Sequence, residues 1–139
     1  MSPTAILWPM LAHVLLVYMV YLVLGVRRRR TVMTGATKVG QFKVRSQEPE
    51  ISATAAANVM NQFELPVLLY ALCLALYVTD GVSYITLALT WIFVAIRYFH
   101  AWVHLTSNDL RLRSGSFALG FLVLGLGWIW LALHILGIV

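Results

Sequence analysis

Residues 52–78 read SATAAANVMNQFELPVLLYALCLALYV, and the change of character at Leu65 decides the fold. The first half carries Asn58, Asn61, Gln62 and Glu64, whereas the stretch from Leu65 to Val78 is apolar throughout. A segment this long crosses a ~30 Å hydrocarbon core, which takes ~20 helical residues. Thr79-Asp80-Gly81 then reads as a tight turn, with Gly81 free to adopt dihedrals that other residues avoid. The chain re-enters an apolar segment at residues 82–105. Working outward, residues 5–26 and 115–139 supply two more segments of membrane-spanning length. The expected fold class is all-α: an integral membrane four-helix bundle of left-handed up-down topology, formed as one domain over residues 1–139.

Composition supports this reading. Of 139 residues, 61% are hydrophobic and 11% charged, far from the ~45–50% and ~25% of soluble domains. A soluble domain of this size has too little interior to bury so much apolar surface. Disorder is excluded because disordered chains are poor in aromatics and aliphatics. Cys73 is the single cysteine, so no intrachain disulfide and no thiolate metal cluster can form.

The net charge of +5 is unevenly placed. Seven of the 10 basic residues lie between Arg27 and Arg45, and two more are Arg111 and Arg113, whereas Thr79–Ser83 has none. The positive-inside rule then puts the first and third connections in the cytoplasm and both termini on the other side. The arginines are placed to meet membrane lipids through their anionic headgroups, and nothing points to nucleic acid. Arg27–Arg30 follow the first apolar run instead of preceding it, which marks a retained anchor and not a cleaved signal. The first connection, about residues 27–51, is either a surface loop or a continuation of the first helix into water.

Ionisable groups inside membrane helices are costly and usually face a bundle interior or cavity. The second segment carries Asn58, Asn61 and Glu64; the third carries Arg97, His100 and His104, spaced to share one helical face. Counted from the turn between them, Glu64 lies ~21 Å deep and Arg97 ~22 Å, at 1.5 Å per residue. Asn61 (~26 Å) matches His100 (~27 Å), and Asn58 (~30 Å) approaches His104 (~33 Å). Two readings follow. One is a structural Glu64–Arg97 ion pair; the other is a site for a polar or anionic ligand entering from the cytoplasm, closed by Arg111 and Arg113. Pro66 either kinks the helix or frees the Gln62 carbonyl for an outside donor. A metal on Glu64, His100 and His104 is disfavoured, because Arg97 repels cations one turn away and no HExxH pattern exists. His13 and His134 read as lone packing histidines, Tyr98 and Trp102 as flanking the polar face, and Gly120, Gly125 and Gly127 as close-packing positions.

Asn61-x-x-Glu64-x-Pro66, then Arg97-x-x-His100-Ala101-x-x-His104, then Arg113-Ser114-x-x-Phe117 resembles the MAPEG family, the membrane-associated proteins of eicosanoid and glutathione metabolism. The resemblance covers nearly the whole chain and is to a bacterial-type member of divergent sequence. It implies a homotrimer of four-helix subunits in the bacterial inner membrane, with glutathione between adjacent subunits near the cytoplasmic face. Family members carry Arg-x-x-x-Asn-x-x-Glu in the second helix, where this chain has Ala57, Asn61 and Glu64. His104 stands where the family often has Tyr.

By this resemblance Arg113, or Arg111, is the catalytic cation holding a thiolate, and Asn58, Asn61, Glu64, Arg97, His100 and His104 bind glutathione. The implied activity is a glutathione-dependent transferase or peroxidase acting on a lipophilic small molecule that arrives from the bilayer. The competing class is a structural or small-anion-binding trimer without catalysis. Transport ranks third, because the apolar half from Leu65 to Val78 offers no polar path.

Overall fold

The computed structural model describes residues 1–43 and 48–139. Arg45, the last of the basic stretch, lies outside the described residues. The chain forms α1 (Leu7–Met33), α2 (Glu50–Asn61), α3 (Pro66–Val78), α4 (Tyr84–Leu105) and α5 (Leu110–Ile135), with 3-10 turns at Pro3–Ile6 and Val39–Lys43. Four helical stretches are long and apolar enough to cross a membrane: Pro3–Met33, Glu50–Val78, Tyr84–Leu105 and Leu110–Ile135. The architecture is an all-α four-helix bundle.

Helix α1 runs straight through Arg27–Arg30, so the polar start of the first connection is helix and not loop. It stops where Gly35 takes a φ of 72°, the left-handed geometry that commonly closes a helix. Arg27 is more than a topology signal. Its Nη1 donates to Thr54 Oγ1 at 2.7 Å and its Nη2 to the Leu105 carbonyl at 2.6 Å, tying α1 to α2 and to the end of α4.

The second span is not one helix. It breaks at residues 62–65, because Pro66 has no N–H to give the Gln62 carbonyl and its ring crowds the preceding turn. The carbonyl that receives an outside donor is Asn61's, one residue earlier than expected.

At the Thr79–Ser83 turn the strained dihedral falls on Asp80, at φ 54°, and not on Gly81. Gly81 is needed for space: a Cβ there would lie 2.7 Å from the His134 ring. His134 Nε2 in turn donates to the Thr79 carbonyl at 2.9 Å, so this histidine is a clasp between α5 and the turn and not a lone residue. Ser83 and Thr86 form a reciprocal capping box that starts α4. Asp109 caps α5 by accepting from the Arg111 and Leu112 amides at 2.8 and 3.0 Å. That cap starts α5 at Leu110 instead of residue 115, placing Arg111 and Arg113 in the first turns of a helix.

The core divides into two levels. Towards the termini, Ile6, Leu69, Leu72, Leu76, Phe93 and Leu131 belong to one buried apolar cluster. Towards the basic end, Leu16, Val20 and Ala101 form a second, smaller cluster beside the buried polar groups Asn58, Gln62, Arg97, His100 and His104. Helix α5 approaches α3 closely at Gly127 and α4 at Gly120, whereas Gly125 meets nothing within 4 Å.

One tie joins the basic end of α1 to Glu48, which lies between the first two spans. Arg28 donates through Nε and Nη2 to the Glu48 carboxylate at 3.0 and 2.5 Å, and its guanidinium lies 5.1 Å from the centre of the Phe42 ring. The Arg28 hydrogen bond holds the Glu48 carboxyl below its ordinary value of 4.5. A depressed carboxylate pKa contributes stability above the unfolded value and loses it as pH falls through the folded one. The tie is therefore expected to hold throughout pH 5–8. Limited proteolysis of the 36–43 segment should accelerate only at pH below the ordinary glutamate range. Glu48→Gln should be cleaved faster already at neutral pH; equal cleavage of the two proteins there would refute the anchor.

Candidate functional site

A directional chain of hydrogen bonds crosses the bundle at the level of the α2–α3 break. Gln62 is buried, and its Nε2 donates to Asn58 Oδ1 at 2.7 Å, which leaves Oε1 as its acceptor. That oxygen lies 3.1 Å from His13 Nε2, so this ring nitrogen carries the proton. His13 Nδ1 then accepts from the Tyr70 hydroxyl at 2.6 Å. At the far end Asn58 Nδ2 donates to the Ala101 carbonyl at 3.0 Å. The chain thus links α3, α1, the break, α2 and α4. His13 is its centre and not a lone packing residue. The sequence offered little signal for this, because Gln62 and Tyr70 lie far from His13 along the chain.

Arg97 is fully buried beside this network. Its Nη2 donates to the Asn61 carbonyl at 2.7 Å and approaches Gln62 Oε1 at 3.4 Å, while Nε and Nη1 have no hydrogen-bond partner among the described residues. The expected Glu64–Arg97 ion pair is not formed: among the described residues the only salt bridge is Arg28–Glu48. Glu64 is exposed and makes no ion pair with Arg97. Arg97 takes the Asn61 backbone carbonyl at the break instead.

His100 and His104 make their hydrogen bonds to α5. His100 Nδ1 lies 3.1 Å from both the Arg113 carbonyl and Ser116 Oγ, and Ser116 donates to the same carbonyl at 2.9 Å. His100 Nδ1 therefore carries its proton, and Nε2 is a buried acceptor without a partner. Arg113 Nη1 donates to Asn108 Oδ1 at 2.8 Å and to His104 Nε2 at 3.3 Å. Asn108 holds a φ of 50° to make this contact, a left-handed conformation that asparagine tolerates better than most residues.

Asn61, Glu64, His100, Arg113, Ser114 and Phe117 line a cavity of about 280 Å³. Of the expected site residues, then, Asn61, Glu64, His100 and Arg113 come together. His104 stands behind Arg113, while Asn58 and Arg97 belong to the structural network. Arg111 is separate: it lies with Ala95, Phe99 and Leu119 on a different groove. Two residues apart on a helix means ~200° apart around its axis. Ala57 is separate too, on a larger cavity of about 640 Å³ that also has Arg28, Phe42 and Glu48 in its wall.

Tyr98 donates to the Ala12 carbonyl at 2.8 Å, and Trp102 is 61% exposed, so neither walls the Arg113 cavity. Among the described residues no group of three or more His, Cys, Asp or Glu side chains is placed to hold a metal. A family model described as the MAPEG family matches residues 5–133. No curated protein and no solved structure matches the chain.

Proposed function

This chain belongs to the MAPEG family, and on that premise we propose that it is a glutathione-dependent membrane enzyme that activates a thiol against a lipophilic electrophile. The observation that carries this reading is the gathering of Arg113, Glu64, Asn61 and His100 on one cavity at the basic end of the bundle. A guanidinium beside a thiol favours the thiolate, the nucleophilic form. Arg113 takes that part, Glu64 accepts from the ligand's ammonium, and Asn61 and His100 bind its polar groups. The thiolate sulfur then forms a bond to an electrophilic carbon as the leaving group departs with its electron pair. Reduction of a lipid hydroperoxide is the alternative use of the same thiolate.

The assembly proposed is the homotrimer. The second-helix motif is divided in one chain, with Asn61 and Glu64 on the 280 Å³ cavity and Ala57 on the 640 Å³ one. A ligand that touches every motif position needs two chains placed side by side. The smaller cavity also falls below the ~300–1,000 Å³ usual for ligand pockets, so a neighbouring wall would complete it. We place the basic end in the cytoplasm of a bacterial cell, at the inner membrane, by the positive-inside rule.

A second reading rests on Ala57, which removes a cation from the motif and so favours a non-catalytic or small-anion-binding trimer. Calorimetry of glutathione into the detergent-solubilised protein separates the two. Saturable binding at low-millimolar Kd or tighter, weakened in Glu64→Ala and Arg113→Ala, supports the enzyme. Absence of heat from a well-folded protein would sink glutathione as the ligand.

A further inference from the structure

A groove between α4 and α5 takes no part in the chemistry above. Ala95, Ile96 and Phe99 form one wall, Gly115 and Leu119 the other, and Arg111 stands at the basic end; the groove encloses about 400 Å³. Phe99 is 44% and Leu119 52% exposed, so the groove lies open along the side of the chain. Gly115 gives it depth, since a Cβ there meets nothing within 4 Å.

Arg111 decides what this groove suits. Its backbone amide is taken by Asp109, but its side chain is exposed and has no hydrogen-bond or ion partner among the described residues. Asp109 turns Oδ1 to the helix amides and makes no ion pair with the Arg111 guanidinium among the described residues. From Leu119 to Arg111 the helix rises ~12 Å, so a charged end and an apolar trough are joined within the upper part of one acyl chain. Arginine binds phosphate through a rigid two-pronged fork, and the basic end of a membrane protein sits at headgroup depth.

We propose that the α4–α5 groove is a binding site for an anionic phospholipid, with one acyl chain between Phe99 and Leu119 and the phosphate on Arg111. The charge complementarity favours this occupant over a zwitterionic lipid, whose choline would face the guanidinium. The site is independent of the Arg113 cavity and does not require glutathione.

The test uses the full chain in bilayers containing phosphatidylglycerol or phosphatidylcholine with a photoactivatable group on the acyl chain, labelled peptides being mapped by mass spectrometry. With phosphatidylglycerol, label should concentrate on residues 95–99 and 115–119. Arg111→Gln should lower that labelling about five-fold at equal lipid, the weight of one surface arginine on an anionic lipid. Gly115→Leu should abolish it, and because open space surrounds Gly115 this variant should fold normally. Three results would overturn the proposal. Equal labelling by phosphatidylcholine would remove the headgroup's role. Labelling indifferent to Gly115→Leu would remove the groove. Cross-links to a second copy in place of lipid would make this face a subunit contact.

Discussion

Arg113→Ala is expected to lower glutathione turnover by about 10²–10³-fold, the usual cost of deleting one donor aimed at developing negative charge, and Arg111→Ala to leave it unchanged. The asymmetry follows from the cavity. Arg113 shares its walls with Asn61, Glu64 and His100, while Arg111 lies on a separate groove. Asn108 and His104 both hold Nη1, so the guanidinium is aimed without spending its whole fork. The measurement is the ultraviolet absorbance of bound thiolate as pH is raised. In the wild-type protein the thiol should ionise well below the ~8.5 of a free thiol, and Arg113→Ala should return it to that value. Equal losses in both variants would mean that the two arginines share one site, against the placement described here.

Much of the fold was legible because it depends on one-dimensional quantities. Length and hydropathy located four spans, and the clustering of Arg27–Arg30 with Arg111 and Arg113 marked one end of the bundle. Rise along a helix was legible in part: Arg97 meets the second span at Asn61 and Gln62, within one turn of the Glu64 level counted for it. Rotation about the helix axis was not. Each residue turns ~100°, so a break at residues 62–65 is enough to undo the register on which the Glu64–Arg97 ion pair depended, and that pair is not formed. The start of α5 was misplaced for a local reason: Asp109 satisfies amides that hydropathy does not register. His13 was misread because its partners are brought to it only by the packing of α1 against the break.

Gly127→Leu should destabilise the solubilised protein by about 1–3 kcal/mol, towards the upper end of the usual cost of overpacking. A Cβ at this position would stand 2.6 Å from Leu72 Cδ2, and Leu72 is only 1% exposed. A leucine side chain extends well beyond that Cβ, so relief takes either a shift of the buried Leu72 side chain within its packed surroundings or a retreat of α5 from α3. Inside a bilayer, helices associate through close van der Waals contact more than through escape from water, so lost proximity is not recovered elsewhere. Gly125→Leu is the matched control, since it gains the same helix propensity in open space. Thermal unfolding in one detergent compares the two directly. A lowered midpoint for Gly127→Leu alone is expected; equal loss in both would overturn this packing of α5 on α3.

The one-way order of the Tyr70–His13–Gln62–Asn58 chain has an electrical consequence. A water wire or a row of imidazoles relays protons because each member can accept on one side and release on the other. Here two successive members are side-chain amides, and each donates an N–H that it cannot surrender without becoming an imidic acid. A proton reaching His13 would stop there, facing Gln62. This chain, which runs from helix to helix at the level of the break, therefore holds its protons in place instead of relaying them.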